Sequence, residues 1–174
     1  MATPTGPFRI EVEGVTEFQI GLSRFGELVE FMPTSVWDSV AGVFFKDEEE
    51  IFRAEGRPEA FKALSPKYEA WKMAKYPGMP IMQLKGATKD ALTGKGSVPG
   101  KAVTIKKLVR RKGTTGITMG VRGPYQLRHQ FGRAGMPQRK IIQPTAALLI
   151  KYAKIMQAAL VKIERESFGG ITGT

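Results

Sequence analysis

Three groups of residues in this chain have chemistry to offer: four consecutive carboxylates, Asp47-Glu48-Glu49-Glu50; a single histidine, His129; and a basic triplet, Arg110-Arg111-Lys112. Four carboxylates in a row resemble a metal site. On a helix, however, neighbouring positions fan out around the axis instead of converging on one ion. The run therefore reads as a solvated or partner-facing acidic patch. His129 is alone, so a histidine-based triad would depend on it entirely, and no serine sits in a nucleophile-elbow setting. Beside Gln130 and Gly132 its expected role is to hold a helix-to-loop turn by hydrogen bonds. Only Glu69, Asp90, Glu164 and Glu166 supply carboxylates after position 60, too few for a carboxylate-rich metal site there. The chain reads as a non-enzyme with no cofactor and no metal.

A helix must carry the acidic run. The apolar series Val36, Trp37, Val40, Phe44 and Ile51 has helical spacing, Ser35 with Asp38 reads as a capping box, and Gly56 followed by Pro58 closes the segment. Before it, Thr16 is placed to cap a helix to about Phe31, with Phe18, Leu22, Phe25, Leu28 and Val29 on one face. Phe8 to Val12 alternates apolar and charged residues and reads as a half-buried strand. A short helix from Ser65 to Tyr76 has Pro66 at its first position. Tyr68 and Trp71, three apart on it, are either core or an inter-subunit anchor.

After the rigid loop Pro77-Gly78-Met79-Pro80, residues Met82 to Thr93 read as another short helix. Residues 94–100 form a glycine-rich, flexible stretch without the spacing of a phosphate loop. Ala102 to Val109 and Thr115 to Val121 read as a basic hairpin over about 102–121, with Arg110, Arg111 and Lys112 at its tip. Two roles stand for that tip: contact with DNA phosphates, or charges that keep a sheet edge from aggregating. Tyr125 to Phe131 reads as a brief helix ending at Gly132, and Lys140 to Gln143 as the start of a final strand. Thr145 caps a last helix of residues 146 to about 167. Leu148, Leu149, Tyr152, Ile155, Met156, Ala159, Leu160 and Ile163 form its apolar stripe, opposite a basic face of Lys151, Lys154, Lys162 and Arg165.

The charge is lopsided. Residues 1–60 hold 5 Lys/Arg against 12 Asp/Glu, and residues 61–174 hold 22 against 4. Such asymmetry fits contact with a polyanion or a head-to-tail match between copies, a solvated basic surface being the plain alternative. There is no cysteine, hence no disulfide and no thiolate site. No apolar run is long enough for a bilayer, and the first residues lack the pattern of an export signal, so neither membrane insertion nor secretion is expected.

A run of phrases covers about residues 50–145. It opens with Ile51-Phe52-Arg53-Ala54-Glu55-Gly56-Arg57-Pro58-Glu59-Ala60-Phe61-Lys62-Ala63-Leu64-Ser65-Pro66 and passes through Tyr68, Trp71-Lys72, Pro77-Gly78-Met79-Pro80 and Leu84-Lys85-Gly86. It closes on Tyr125, His129-Gln130-Phe131-Gly132 and Met136-Pro137-Gln138-Arg139. In order and spacing these phrases resemble the phage virion morphogenesis family, the tail-completion proteins of Mu-like phages. Lys85 stands where that family's loop phrase has threonine. The resemblance implies a single α+β domain over 1–174, a small antiparallel sheet flanked by helices with a long C-terminal amphipathic helix. It further implies a virion protein of the neck, assembled in the host cytoplasm as a cyclic, hexameric ring. Its neighbours would be the connector or adaptor and the tail terminator or tail tube, with genomic DNA passing non-specifically through the lumen. The other reading of the residues is a free-standing basic nucleic-acid-binding protein. Against it, aromatic residues do not interleave with basic ones as stacking platforms do.

Overall fold

The computed structural model describes residues 15–111, 114–133 and 135–169. Among them the order is α1 (Val15–Glu30), α2 (Thr34–Arg53), α3 (Pro66–Lys75), α4 (Ala87–Leu92), β1 (Val103–Arg111), β2 (Thr114–Arg122), α5 (Gln126–Phe131) and α6 (Ala146–Phe168). This is an α+β fold: one two-stranded antiparallel sheet with helices around it. The expected strand Phe8 to Val12 lies outside the described residues.

Helix α2 is the centre of the molecule because its apolar residues recur at three- and four-residue steps. Trp37, Val40, Ala41, Phe44, Ile51 and Phe52 are all buried, and the helix packs against α4, α6 and both strands. Phe44, Ile51 and Phe52 meet Phe61, Leu92 and Ile141 in one cluster. The rings of Phe52 and Phe61 lie 6.3 Å apart, edge to face. At the C-terminal end the chain turns through Gly56 at φ 111°, where a Cβ would strike the Glu59 carbonyl oxygen at 2.5 Å. Only glycine fits there.

The start of α2 differs from expectation. It begins at Thr34 after Pro33, and no side chain caps it. The Ser35–Asp38 capping box does not form, because Asp38 is drawn away to Lys106 of β1 at 2.7 Å and the Ser39 hydroxyl donates to the Ser35 carbonyl instead. The expected helix from Met82 to Thr93 shrinks to Ala87–Leu92. Met82 and Gly86 hold φ of 65° and 72°, outside the right-handed helical region, so the helix cannot start before Ala87.

The hairpin extends further toward its tip than the alternation indicated. Arg110 pairs with Thr115 and Arg111 with Thr114, so both arginines are strand residues; Lys112 lies outside the described residues. Lys140 to Gln143 is not a strand. The amides of Ile141 and Ile142 donate to the side-chain oxygen of Gln130, at 2.8 and 3.0 Å, which replaces a neighbouring strand. In residues 94–100, Lys95 pairs with Glu49 at 2.5 Å, the Thr104 amide donates to the Ser97 hydroxyl at 2.9 Å, and Val98 bridges Ala102.

Helices α1 and α6 form the second layer. Gly21 allows their close approach, since a Cβ there would meet the Phe168 ring at 2.7 Å. Phe18 and Phe25 flank that ring at 6.0 and 6.1 Å. Thr145 caps α6 as its sequence position indicates, accepting from the Leu148 amide at 3.2 Å. Leu148 and Ile163 are buried, whereas Leu149 and Leu160 of the expected stripe face solvent, as do Phe18 and Leu22 of α1.

Candidate functional site

The closing phrases of the resemblance meet the Lys62–Ala63 stretch that leads into α3. Helix α5 ends at Gly132 in the left-handed conformation, and a Cβ there would press on the Gln138 amide at 3.0 Å. The chain then doubles back, so that the Arg139 amide donates to the His129 carbonyl at 2.7 Å. Arg139 is buried, and its guanidinium donates to the carbonyls of Lys62 and Ala63 at 2.6 and 2.7 Å. Gln130 accepts from the two amides of the 140–143 segment and donates to the Ile142 carbonyl at 2.9 Å. Gln138 donates to the Gln130 carbonyl at 3.0 Å, while Pro137 is exposed.

These contacts correct the expected role of His129. Gln130 and Arg139 hold the turn; His129 contributes its backbone carbonyl, and its buried Nδ1 has no partner. Burial, and then the Arg139 charge, push its pKa below the usual histidine range. A histidine biased toward the neutral form, locked between two backbone staples, is a packing residue.

Above this staple the surface is aromatic and basic. Tyr68 and Trp71 stack on α3 with centroids 5.3 Å apart, Tyr76 meets Trp71 edge-on at 6.0 Å, and the Lys75 ammonium lies 5.8 Å from the Trp71 ring. Tyr68 is 42% exposed and Trp71 43%, so the core reading of the pair is excluded. On α5, Arg128 lies over Tyr125 at 5.8 Å, and Arg133 lies over Phe131 at 5.4 Å. Arg139 links the two helices, its guanidinium on the carbonyls that lead into α3 and its amide on His129 of α5. Lys72, buried beneath, donates to the Pro80 carbonyl and anchors α3 to its loop; burial lowers its pKa, with Glu55 opposing. Residues 62–79 and 122–140 carry nine Lys/Arg against the single acid Glu69. Aromatic and basic residues therefore do interleave here in space, which the linear sequence did not show. The signal was local: an aromatic followed two to four positions later by a cation.

The acidic run lies elsewhere and splits in two. Glu49 and Glu50 face solvent, paired with Lys95 and with Arg53 at 3.0 Å. Asp47 and Glu48 turn inward, so the expectation of a wholly solvated patch fails for both. On α2 their positions fall on the side of Phe44 and Ile51, and that side is the core. Asp47 pairs with Arg57, whereas the Glu48 Oε2 has no partner. Burial, with Asp47 adding to it, pushes the Glu48 pKa up to about 9, so the carboxyl is neutral at physiological pH. It borders a groove of about 370 Å³ that Phe44, Met119, Leu148 and Tyr152 help to line. Burial also raises the Tyr152 phenol to about 12. Among the described residues no group of three or more metal-ligating side chains gathers.

The hairpin is a third region. Arg110 donates to the Thr34 hydroxyl at 3.2 Å, Lys106 pairs with Asp38, and the Thr115 hydroxyl donates to the Glu30 carbonyl, so the sheet is tied to the end of α1 and the start of α2. Arg111 is exposed. No helix among the described residues is long and apolar enough to cross a membrane. No family model matches this chain, and neither does any curated protein or solved structure.

Proposed function

We propose that this chain is a non-catalytic virion component of a tailed phage, a tail-completion or head-to-tail joining protein that forms a ring in the neck between connector and tail tube. The observation that carries the oligomeric part is the placement of exposed apolar side chains on two surfaces of opposite charge. The α3–α5 surface presents Tyr68, Trp71, Met73, Leu127 and Phe131 among basic residues. Helix α1 presents Phe18, Ile20 and Leu22 with Glu17, Glu27 and Glu30 against Arg24 alone. Two different patches on one chain, complementary to each other in charge, support heterologous contacts, which close into a ring when the rotation permits. The phage part rests on the resemblance of the phrases between residues 50 and 145. Genomic DNA in the lumen would meet exposed lysines and arginines, Arg111 among them, through non-specific phosphate contacts.

Copy number in purified particles, by quantitative mass spectrometry against the major capsid protein, tests this reading. A small fixed number, on the order of six or twelve, supports a ring at one vertex. Absence from mature particles rejects the neck role.

One observation favours a second reading, a free-standing nucleic-acid-binding protein: the three exposed aromatic–cation pairs of α3 and α5 are the parts of a stacking platform. A dedicated binder would hold a defined site size at physiological salt, whereas a neck component would bind weakly and lose DNA steeply as salt rises.

A further inference from the structure

The two edges of the hairpin are unequal. β1 carries Lys106, Lys107, Arg110 and Arg111, the kind of charge that keeps an edge strand from pairing, and its side chains reach Asp38 and Thr34 of α2. β2 has no charged residue from Thr114 to Val121. Ile117, Thr118 and Met119 all border the groove described above. Successive side chains of a strand point to opposite faces, so three in a row border one space only when the strand's edge is turned toward it. Among the described residues β2 pairs with β1 alone. The far wall cannot complete the ladder. The amides of Ile141 and Ile142 are taken by Gln130, and Pro144 has none to give. An uncharged strand edge beside an apolar groove is a template for one more strand.

The chain has one segment whose pattern suits that place. Phe8, Ile10 and Val12 alternate with Arg9 and Glu11, and residues 8–12 lie outside the described structure. They cannot serve the groove of their own copy. Gly21 of α1 lies against Phe168 at the end of α6, while the groove is at Tyr152, near its start. Sixteen helical residues separate Tyr152 from Phe168, about 24 Å at 1.5 Å each. The Glu30 end of α1 is held to Thr115 of β2, so α1 runs toward the sheet and Val15 lies beyond Gly21, about 9 Å further from the groove. Phe8, seven residues before Val15, reaches at most about 25 Å from it. That falls short of the roughly 33 Å remaining.

We infer that residues 8–12 of one copy add as a strand to the outer edge of β2 in the next copy, with Phe8, Ile10 and Val12 continuing the face of Ile117 and Met119 into the groove. This rests on the oligomeric reading above and specifies its joint. The exchange is heterologous, since the arm and the groove are different surfaces separated by the length of α6. Acidic Glu11 and Glu13 are thereby carried onto the opposite face of a neighbour's sheet, the face of Thr118 and Lys107.

The absence of cysteine makes the test clean. Full-length Ile10→Cys is co-expressed with differently tagged Ile117→Cys or Met119→Cys and oxidised mildly. The expected result is a disulfide-linked heterodimer, found when both variants are present and absent from either alone. Light scattering on the unsubstituted protein separates the two levels of inference. A monomer at all concentrations would overturn the arm exchange together with the ring. An oligomer that gives no cross-link at either position would overturn the exchange alone, as would a cross-link forming within single chains of the diluted Ile10→Cys/Met119→Cys double variant. Ile10→Asp provides the second readout. With circular dichroism unchanged, amides 116–120 should exchange at least tenfold faster than in the unsubstituted oligomer, and unchanged exchange would count against the exchange.

Discussion

Two aromatic clusters lie a short stretch of chain apart and are used in opposite ways. Phe44, Phe52 and Phe61 are buried against Leu92 and Ile141, and the first two stand on α2, which packs on α4, α6 and both strands. Tyr68, Trp71 and Tyr76 stack just as closely on each other but remain open to solvent, on a helix tied down by Lys72 and, through the 62–63 carbonyls, by Arg139. A cluster that holds the fold is inside and wrapped. A cluster held by polar staples at its base, with its rings left outside, fits the docking role proposed above. Burial of the phenylalanines stabilises this chain; the α3 aromatics contribute to it almost nothing until something covers them.

The largest expected effect follows from that contrast. Phe52→Ala should lose about 3–5 kcal/mol, since it removes a fully buried ring and leaves a cavity among side chains that cannot collapse freely. Trp71→Ala should change stability by no more than about 0.5 kcal/mol, as surface truncations do. Denaturant midpoints give the first comparison, and light scattering gives the second: Trp71→Ala, with its fold intact, should reduce oligomer mass. Equal stability losses for the two would erase the distinction between the clusters.

Arg139→Met should cost about 2–3 kcal/mol by leaving the Lys62 and Ala63 carbonyls without donors. Arg139→Lys should not restore the loss, because one ammonium cannot reproduce the two-pronged geometry. Thermal unfolding of both variants checks this. Full recovery with lysine would make Arg139 a charge and not a staple.

What the sequence revealed and what it hid divide along the range of the forces involved. Thr145 as a cap, Gly132 as a left-handed stop, Pro66 at a helix start and the alternating hairpin were all legible, since each is decided within a few residues. The helix expected from Met82 failed on one non-glycine residue at positive φ, held in place because Ile81 donates to Glu55 and Gln83 to the Phe52 carbonyl, both far away in sequence. The strand expected at Lys140 failed for the same kind of reason, a side chain eleven positions earlier substituting for a strand. Of the site residues, Tyr68 and Trp71 were visible through their spacing, and Arg139 through its phrase. Tyr125 and Phe131 stood in the same phrases, but their pairing with Arg128 and Arg133 was overlooked because each pair reads as ordinary until the fold is known.

Glu48 provides a smaller effect with a defined sign. Burial pushes its carboxyl up to about 9 in the fold, against 4.5 for an ordinary glutamate. The folded state therefore binds the proton more tightly than the unfolded chain. The contribution is full below about pH 4.5 and is lost progressively as pH rises toward 9, at up to about 1.4 kcal/mol per unit. Glu48→Gln should flatten that slope and make the protein more stable than the unsubstituted chain at pH 8. A profile with the slope unchanged would place the carboxyl in contact with water or with a cation.

The smallest effect on the fold should come from the hairpin. Replacing Arg110, Arg111 and Lys112 with glutamine removes three charges and, among the described residues, one exposed hydrogen bond to Thr34, so stability should stay within about 0.5 kcal/mol. DNA retention at low salt should fall, and the steepness of its loss with salt should fall with it, because fewer counterions are released per phosphate contact. Oligomer mass should not change. Should mass drop while DNA retention holds, the arginines belong to the joint between copies, and the α3–α5 surface becomes the one that meets nucleic acid.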